Sequence, residues 1–252
     1  MKKSQHRRHA EHQWIIVGAS STIAKAFSRI AASHGADILL TGRHDNDLKA
    51  MAADLMIRYS IDCKTYVLDI NDTSQYEGLI HLAEATQKKT HIFLAAGVLL
   101  DETHINMSDI QRMLQTNLVS PTMFLHEWVR TFNGTTGSIV TLGSVAGDRG
   151  RARNAIYGAA KSGLAAYLDG FRVKVFEKNI HVLLVKPGPI DTQMTFHLPT
   201  PMPFLASPER CAKACWKGYE KKQRVIYYPR VWRYVMFLVK SLPFVIFKQI
   251  KN

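Results

Sequence analysis

The chain has 252 residues, with 33 Lys or Arg against 20 Asp or Glu and a formal net charge of +13. That length suits one α/β domain with a substantial core and does not require two. Cys63, Cys211 and Cys215 are too few and too irregularly placed for a disulfide framework, and an odd count fits a reducing, cytoplasmic compartment. The charge belongs to the ends: residues 1–13 hold four Lys or Arg against Glu11, and residues 213–252 hold ten against Glu220. With no groove-reading module or stacking platform beside that charge, nucleic acid is not an expected partner.

Residues 1–13 read as a basic, flexible tail. No apolar stretch precedes Trp14, so the tail does not read as a signal peptide. His6, His9 and His12 suggest adventitious chelation at most, and no metal is expected. Trp14-Ile15-Ile16-Val17 is a short apolar run of the kind a buried parallel strand shows. Gly18-Ala19-Ser20-Ser21-Thr22-Ile23-Ala24 follows, and Ile23, Phe27 and Ile30 then recur at helical spacing. Strand, small-residue turn and helix are the parts from which backbone amides at a helix N-terminus hold a pyrophosphate. An ordinary strand-to-helix turn reads the same way, because Thr22 and Ala24 stand where the glycine fingerprint is strict.

The second strand, Asp37-Ile38-Leu39-Leu40-Thr41, ends in Gly42-Arg43-His44. A site for NAD places an acidic residue here to bond the ribose 2′-hydroxyl. Arg43 would instead fork onto a 2′-phosphate, which favours NADP(H) over NAD(H); a solvated turn arginine is the plainer alternative. Apolar runs ending near residues 17, 40, 68, 94, 142, 185 and 228 alternate with helix-period stretches. The pattern predicts one domain over residues 14–229, a Rossmann-type doubly wound parallel sheet with helices on both faces. Residues 193–208, with their Pro-rich centre, read as a loop and a candidate substrate lid, or as a plain surface connection.

Tyr157 and Lys161 are four residues apart and share a helix face, with Ser144 thirteen positions upstream at a strand end. Alone, such a pair is most often a solvated helix face. With a serine hydroxyl to hold a carbonyl oxygen, it can move a proton, provided the ammonium lowers the phenol's pKa.

In these motifs the chain resembles the short-chain dehydrogenase/reductase family, collinearly from about residue 14 to residue 228. The resemblance implies a catalytic tetrad of Asn117, Ser144, Tyr157 and Lys161, and hydride transfer between nicotinamide and a carbonyl or secondary alcohol. It implies cofactor contacts at Gly18, Ser20, Ser21, Thr22 and Ile23, at Arg43, and at Asp69 and Ile70 beside the adenine. Ala95, Ala96 and Gly97 stand where the family has Asn-Ala-Gly. Pro187, Gly188, Ile190 and Thr192 lie in the segment that covers the nicotinamide, and Tyr157 and Lys161 also meet the cofactor. Lys161 would bond the ribose, Asn117 would fix a relay water, and the family habit is a homodimer or homotetramer. The departures at Thr22, Ala24 and Ala95 touch phosphate contact and strand anchoring without removing a catalytic group. A non-catalytic nucleotide-binding scaffold is the reading they would suit. The same variants, with the C-terminal tail, are similar to reductases of polyprenyl-phosphate-linked keto-sugars, the decaprenylphosphoryl-2-keto-erythropentose reductase subgroup.

Residues 230–252 form an amphipathic basic tail. As a helix over 230–241, Arg230, Arg233, Lys240 and Ser241 fall along one stripe, and Trp232, Val235, Met236, Leu238, Val239 and Leu242 fill the remainder. The uncharged run from 241 to 247 is far too short to span a bilayer. Apolar residues beside Lys and Arg suit an anionic membrane surface, which predicts peripheral association and a lipid-linked carbonyl substrate. Packing on the core's own flank or on a second subunit, with small or hydrophobic ketones as substrates, is the alternative.

Overall fold

The computed structural model describes residues 9–195 and 204–249. His6, Lys251 and the Pro-rich centre of the candidate lid lie outside the described residues.

Seven strands alternate with helices along the chain. In order they are β1 (His12–Val17), α1 (Thr22–Ser33), β2 (Asp37–Gly42), α2 (Asp45–Tyr59) and β3 (Cys63–Val67). Next come α3 (Tyr76–Glu84), β4 (Lys89–Leu94), α4 (Met107–Leu114), α5 (Ser120–Thr131), β5 (Thr136–Leu142) and α6 (Ala155–Lys174). The last are β6 (His181–Pro187), α7 (Pro208–Glu220), β7 (Val225–Tyr228), α8 (Val231–Ser241) and α9 (Phe244–Phe247). The strands form one sheet in the order β3-β2-β1-β4-β5-β6-β7, parallel throughout.

The two-residue side-chain period of β1 divides the core into two layers. Trp14 and Ile16 face one side with Phe27, Leu48, Phe93 and Trp216, under α1, α2 and α7. Ile15 and Val17 face the other with Leu79, Phe124, Trp128, Leu164 and Leu168, under α3, α5 and α6. The three cysteines are free and buried among these side chains. The doubly wound sheet expected from the apolar runs is thus the fold.

The first strand begins earlier than Trp14. β1 starts at His12 because Gln13, although buried, donates Nε2 to Ala83 O and Thr90 Oγ1, both at 2.7 Å. A polar residue can enter a sheet when its amide is satisfied in this way. His12 stacks on His91, and His9 meets Trp216 edge-on, so part of the expected flexible tail packs on the domain.

Candidate active site

All parallel strands end at the same edge of the sheet, and the predicted residues lie in the loops and helix turns that follow the strands there. Gly18 ends β1 with φ +83, and a Cβ on it would lie 2.8 Å from the Ala96 backbone nitrogen. Glycine is therefore required where the β1 and β4 loops meet. Ala95 donates its N–H to Val17 O at 2.8 Å, so the strands stay tied without the family's asparagine side chain. Ser20 and Thr22 are exposed, Ser21 is half-buried, and Ile23 and Ala24 pack into the core. No side chain caps α1, and no acidic residue occupies its first turn. Such an uncapped N-terminus, behind a glycine that brings backbone close, fits the pyrophosphate of a dinucleotide.

Arg43 follows β2, exposed and without an ion-pair partner among the described residues. Asp69 turns the chain after β3 by accepting the Asn71 N–H at 2.9 Å, and Ile70 O accepts from Tyr76 at 2.5 Å. Asn71 Nδ2 reaches Thr116 Oγ1 at 3.1 Å, and Asn71 Oδ1 accepts from Ser120 Oγ at 2.8 Å. These bonds lock the β3 loop to a π-helical turn over Gln115–Val119, and Asn117 sits in that turn. A π-turn inside a helix re-aims one side chain, often at a functional site. The buried Asn117 amide donates to Val98 O at 2.7 Å and Met113 O at 2.9 Å, and accepts from Val98 N at 3.2 Å. Its side chain is thus committed to holding the loop after β4. A Cβ on Gly97 would lie 3.0 Å from Asn117 Oδ1 and 3.5 Å from Lys161 Nζ, so glycine keeps the space beside the amine open.

Ser144 stands two residues past β5, and its Oγ accepts the Ala146 N–H at 3.1 Å. Tyr157 and Lys161 are both buried on the first turns of α6, with Nζ 5.7 Å from the phenol ring centroid. Lys161 donates to Leu142 O at 3.2 Å, which ties the helix to the end of β5. Ser144, Tyr157 and Lys161 are therefore brought together, with Asn117 and Gly97 next to the amine.

The electrostatics correct one expectation. Burial pushes the Tyr157 phenol up to about 12, opposed only by a hydrogen bond with Ser144. Burial likewise brings Lys161 down to about 8. Burial is the largest cause for both groups, so the phenol ends above its ordinary value although Lys161 is near. A phenol kept protonated at neutral pH is the form that donates a proton.

Pro187 and Gly188 end β6, and Gly188 donates to Tyr228 O at 2.8 Å. Ile190 is buried and bridges to Ala206, while Thr192 closes a turn with Thr195. Trp232 from α8 lies over this segment, its Nε1 2.1 Å from where a Gly188 Cβ would be. The tail thus packs beside the site through Trp232 and Met236, which join Val145 in a small core. Its other apolar face, with Tyr234, Phe237 and Leu238, remains exposed, and so do Phe244, Val245 and Ile246 of α9. Packing on the core's own flank and an open apolar surface therefore both hold, on different faces of α8.

Several contributors carried no sequence signal. Glu102 caps α6 from a distant loop, accepting the N–H groups of Ile156 at 3.0 Å and Tyr157 at 2.9 Å. Asp148, its side chain 1% exposed, pairs with Lys186 at 2.5 Å and accepts from Tyr227 at 2.8 Å. Arg149 donates to the carbonyls of Val239, Lys240 and Leu242, and its guanidinium stacks 3.7 Å from the Phe247 ring centroid. One hint was available: Arg149, Arg151 and Arg153 alternate between the serine and the tyrosine.

Known proteins share this chain's sequence pattern and fold. A family model described as short chain dehydrogenase matches residues 13–202. An uncharacterised oxidoreductase of Mycobacterium tuberculosis is 29% identical over 91% of this chain and 93% of its own. Sulfoacetaldehyde reductase 2 of Chromohalobacter salexigens is 29% identical over 72% of this chain and 73% of its own. In fold, the chain is similar to a short-chain dehydrogenase from Sphingobium yanoikuyae in complex with NADPH, at a TM-score of 0.77 and 20% identity, covering 92% and 96% of the two chains. With a matching family model over most of its length, the chain belongs to the short-chain dehydrogenase family and is an oxidoreductase of that type.

Proposed function

We propose that the protein is an NADP(H)-dependent reductase of a carbonyl compound presented at a membrane surface. The cluster of half-buried Ser144 with buried Tyr157 and Lys161 carries the reading. The nicotinamide supplies the hydride; the chain's own residues place and protonate the substrate oxygen. Ser144 Oγ holds that oxygen, and the neutral Tyr157 hydroxyl donates its proton to it. Lys161 sits beside the phenol and would bond the ribose. Asn117 and Gly97 keep the pocket around the amine in shape.

Arg43 supports NADP(H), because it is exposed, lacks an ion-pair partner among the described residues and follows β2, where an acidic residue would favour NAD(H). Membrane association is supported by the exposed face of α8 and α9, in which Phe237 is 70% and Phe244 is 73% exposed. Arg230, Arg233, Lys240 and Lys248, all exposed, flank those aromatics in sequence, and each basic residue near an anionic surface contributes about 1 kcal/mol. No helix among the described residues is long and apolar enough to cross a membrane, so contact would be interfacial. A lipid-linked keto-sugar is the substrate kind that such a site beside such a surface suits best.

The test pairs two measurements. Tyr157→Phe should retain NADPH affinity and lose at least about 100-fold in turnover, whereas Arg43→Asp should weaken NADPH and spare NADH. Vesicles containing phosphatidylglycerol should float the wild type and leave a Phe237→Ser, Phe244→Ser variant behind. Substantial Tyr157→Phe turnover overturns the catalytic assignment, and equal flotation of the two proteins overturns the membrane one.

A further inference from the structure

Three arginines alternate between Ser144 and Tyr157, and the structure treats each differently. Arg149 is occupied by the tail carbonyls, and Arg153 is exposed. Arg151 is half-buried, its Nε sequestered from solvent with no hydrogen-bond partner, and its side chain forms no ion pair among the described residues. All 20 Asp and Glu residues lie within the described segments, and none comes within reach of Arg151. The chain therefore offers this guanidinium no carboxylate side chain. An arginine does not escape burial by losing its proton, so an anion that reached this half-buried guanidinium would offset the water its Nε has lost.

Asn154 lies three residues further on, at the N-cap of α6. Asparagine there ordinarily accepts an N–H from the first turn. Here it makes no such bond, because the Glu102 carboxylate already holds the N–H groups of Ile156 and Tyr157. Asn154 Oδ1 is left sequestered and without a partner. Turning the amide over would put its Nδ2 donors in that place. Two unsatisfied polar side chains thus lie six and three residues before Tyr157, on the segment that joins it to Ser144.

We propose that Arg151 and Asn154 form a subsite for an oxyanion substituent, of the phosphate or sulfonate class, on the carbonyl substrate. This rests on the reductase reading above. The guanidinium forks onto two oxygens and the amide donates to a third, which orients the carbonyl toward Ser144 and Tyr157. The anion also replaces the water that burial has taken from Arg151. A phosphate could arrive on a soluble metabolite or on a lipid, and the recognition chemistry is the same for both.

The experiment titrates matched pairs into NADP+-saturated protein by calorimetry: dihydroxyacetone phosphate against dihydroxyacetone, and farnesyl phosphate against farnesol. At least one phosphate should bind tenfold more tightly than its neutral partner. Arg151→Gln should reduce that preference below threefold, Arg151→Lys should restore part of it, and Asn154→Ala should weaken the phosphate alone. A stronger preference within the farnesyl pair assigns the phosphate to a lipid; one within the dihydroxyacetone pair assigns it to a soluble substrate. No preference in either pair with NADP+ bound normally, or a preference that survives Arg151→Gln, overturns the subsite. Failure of the wild type to bind NADP+ overturns the reductase reading instead, so the two failures are distinct. Should Arg151→Gln not fold, the wild-type preference and Asn154→Ala still decide.

Discussion

Replacing Lys161 by methionine should make the protein more stable and inactive, and pH should reveal why. Burial moves the lysine from 10.5 to about 8, which at about 1.4 kcal/mol per tenfold amounts to about 3 kcal/mol against the ammonium in the native state. Methionine fills a similar volume without that penalty but loses the bond to Leu142 O, about 1 kcal/mol. The net gain at pH 7 is about 2 kcal/mol, or about 4–8 °C in Tm for a chain of this size. The sign follows from proton counting. Between pH 8 and 10.5 the unfolded chain holds the lysine's proton more fully than the native one, so wild-type stability rises with pH in that window. Below pH 8 the penalty is present in full. Thermal melts of both proteins at pH 7, 8, 9 and 10 should therefore converge near pH 10, since every other titrating group cancels in the difference. A variant that melts below the wild type at pH 7, or a gap of constant size from pH 7 to 10, refutes the reasoning.

Further outcomes can be checked by denaturation and binding. Asp148→Asn strips the counter-charge from Lys186 and should cost about 2–4 kcal/mol in urea unfolding. Tyr227→Phe, which removes only the hydroxyl bond to the same carboxylate, should cost about 1 kcal/mol. Gly18→Ala forces a side chain into a φ of +83 and onto the Ala96 backbone, and should cost about 2–4 kcal/mol and weaken NADPH binding.

The motif-bearing parts were legible because their chemistry is local. Gly18, Ser144, Tyr157 and Lys161 declare themselves by residue type and spacing, and apolar runs buried on both faces announce the strands. What escaped depends on contacts between distant segments. Glu102 lies more than fifty residues from the helix it caps, and no short-range pattern joins the two. The tail's apolar residues are alike in sequence, yet Val145 and Tyr227 cover Trp232 and Met236 and leave Phe237 open. The tyrosine's pKa was misjudged because spacing shows that Lys161 is near, whereas burial decides which effect prevails. Similarly, the start of β1 at His12 depended on Gln13 finding Ala83 and Thr90, partners at least seventy positions away.

The sheet order places the first strand in the interior, between β2 and β4. On a ribosome, β1 and β2 emerge together, but the other flank of β1 stays open until residues 89–94 have been made. Through that interval β1 presents a bare backbone edge of the sort that recruits stray strands. A nascent chain stalled short of β4 is consequently the species most exposed to aggregation, and chaperone capture during synthesis should fall once that strand has docked.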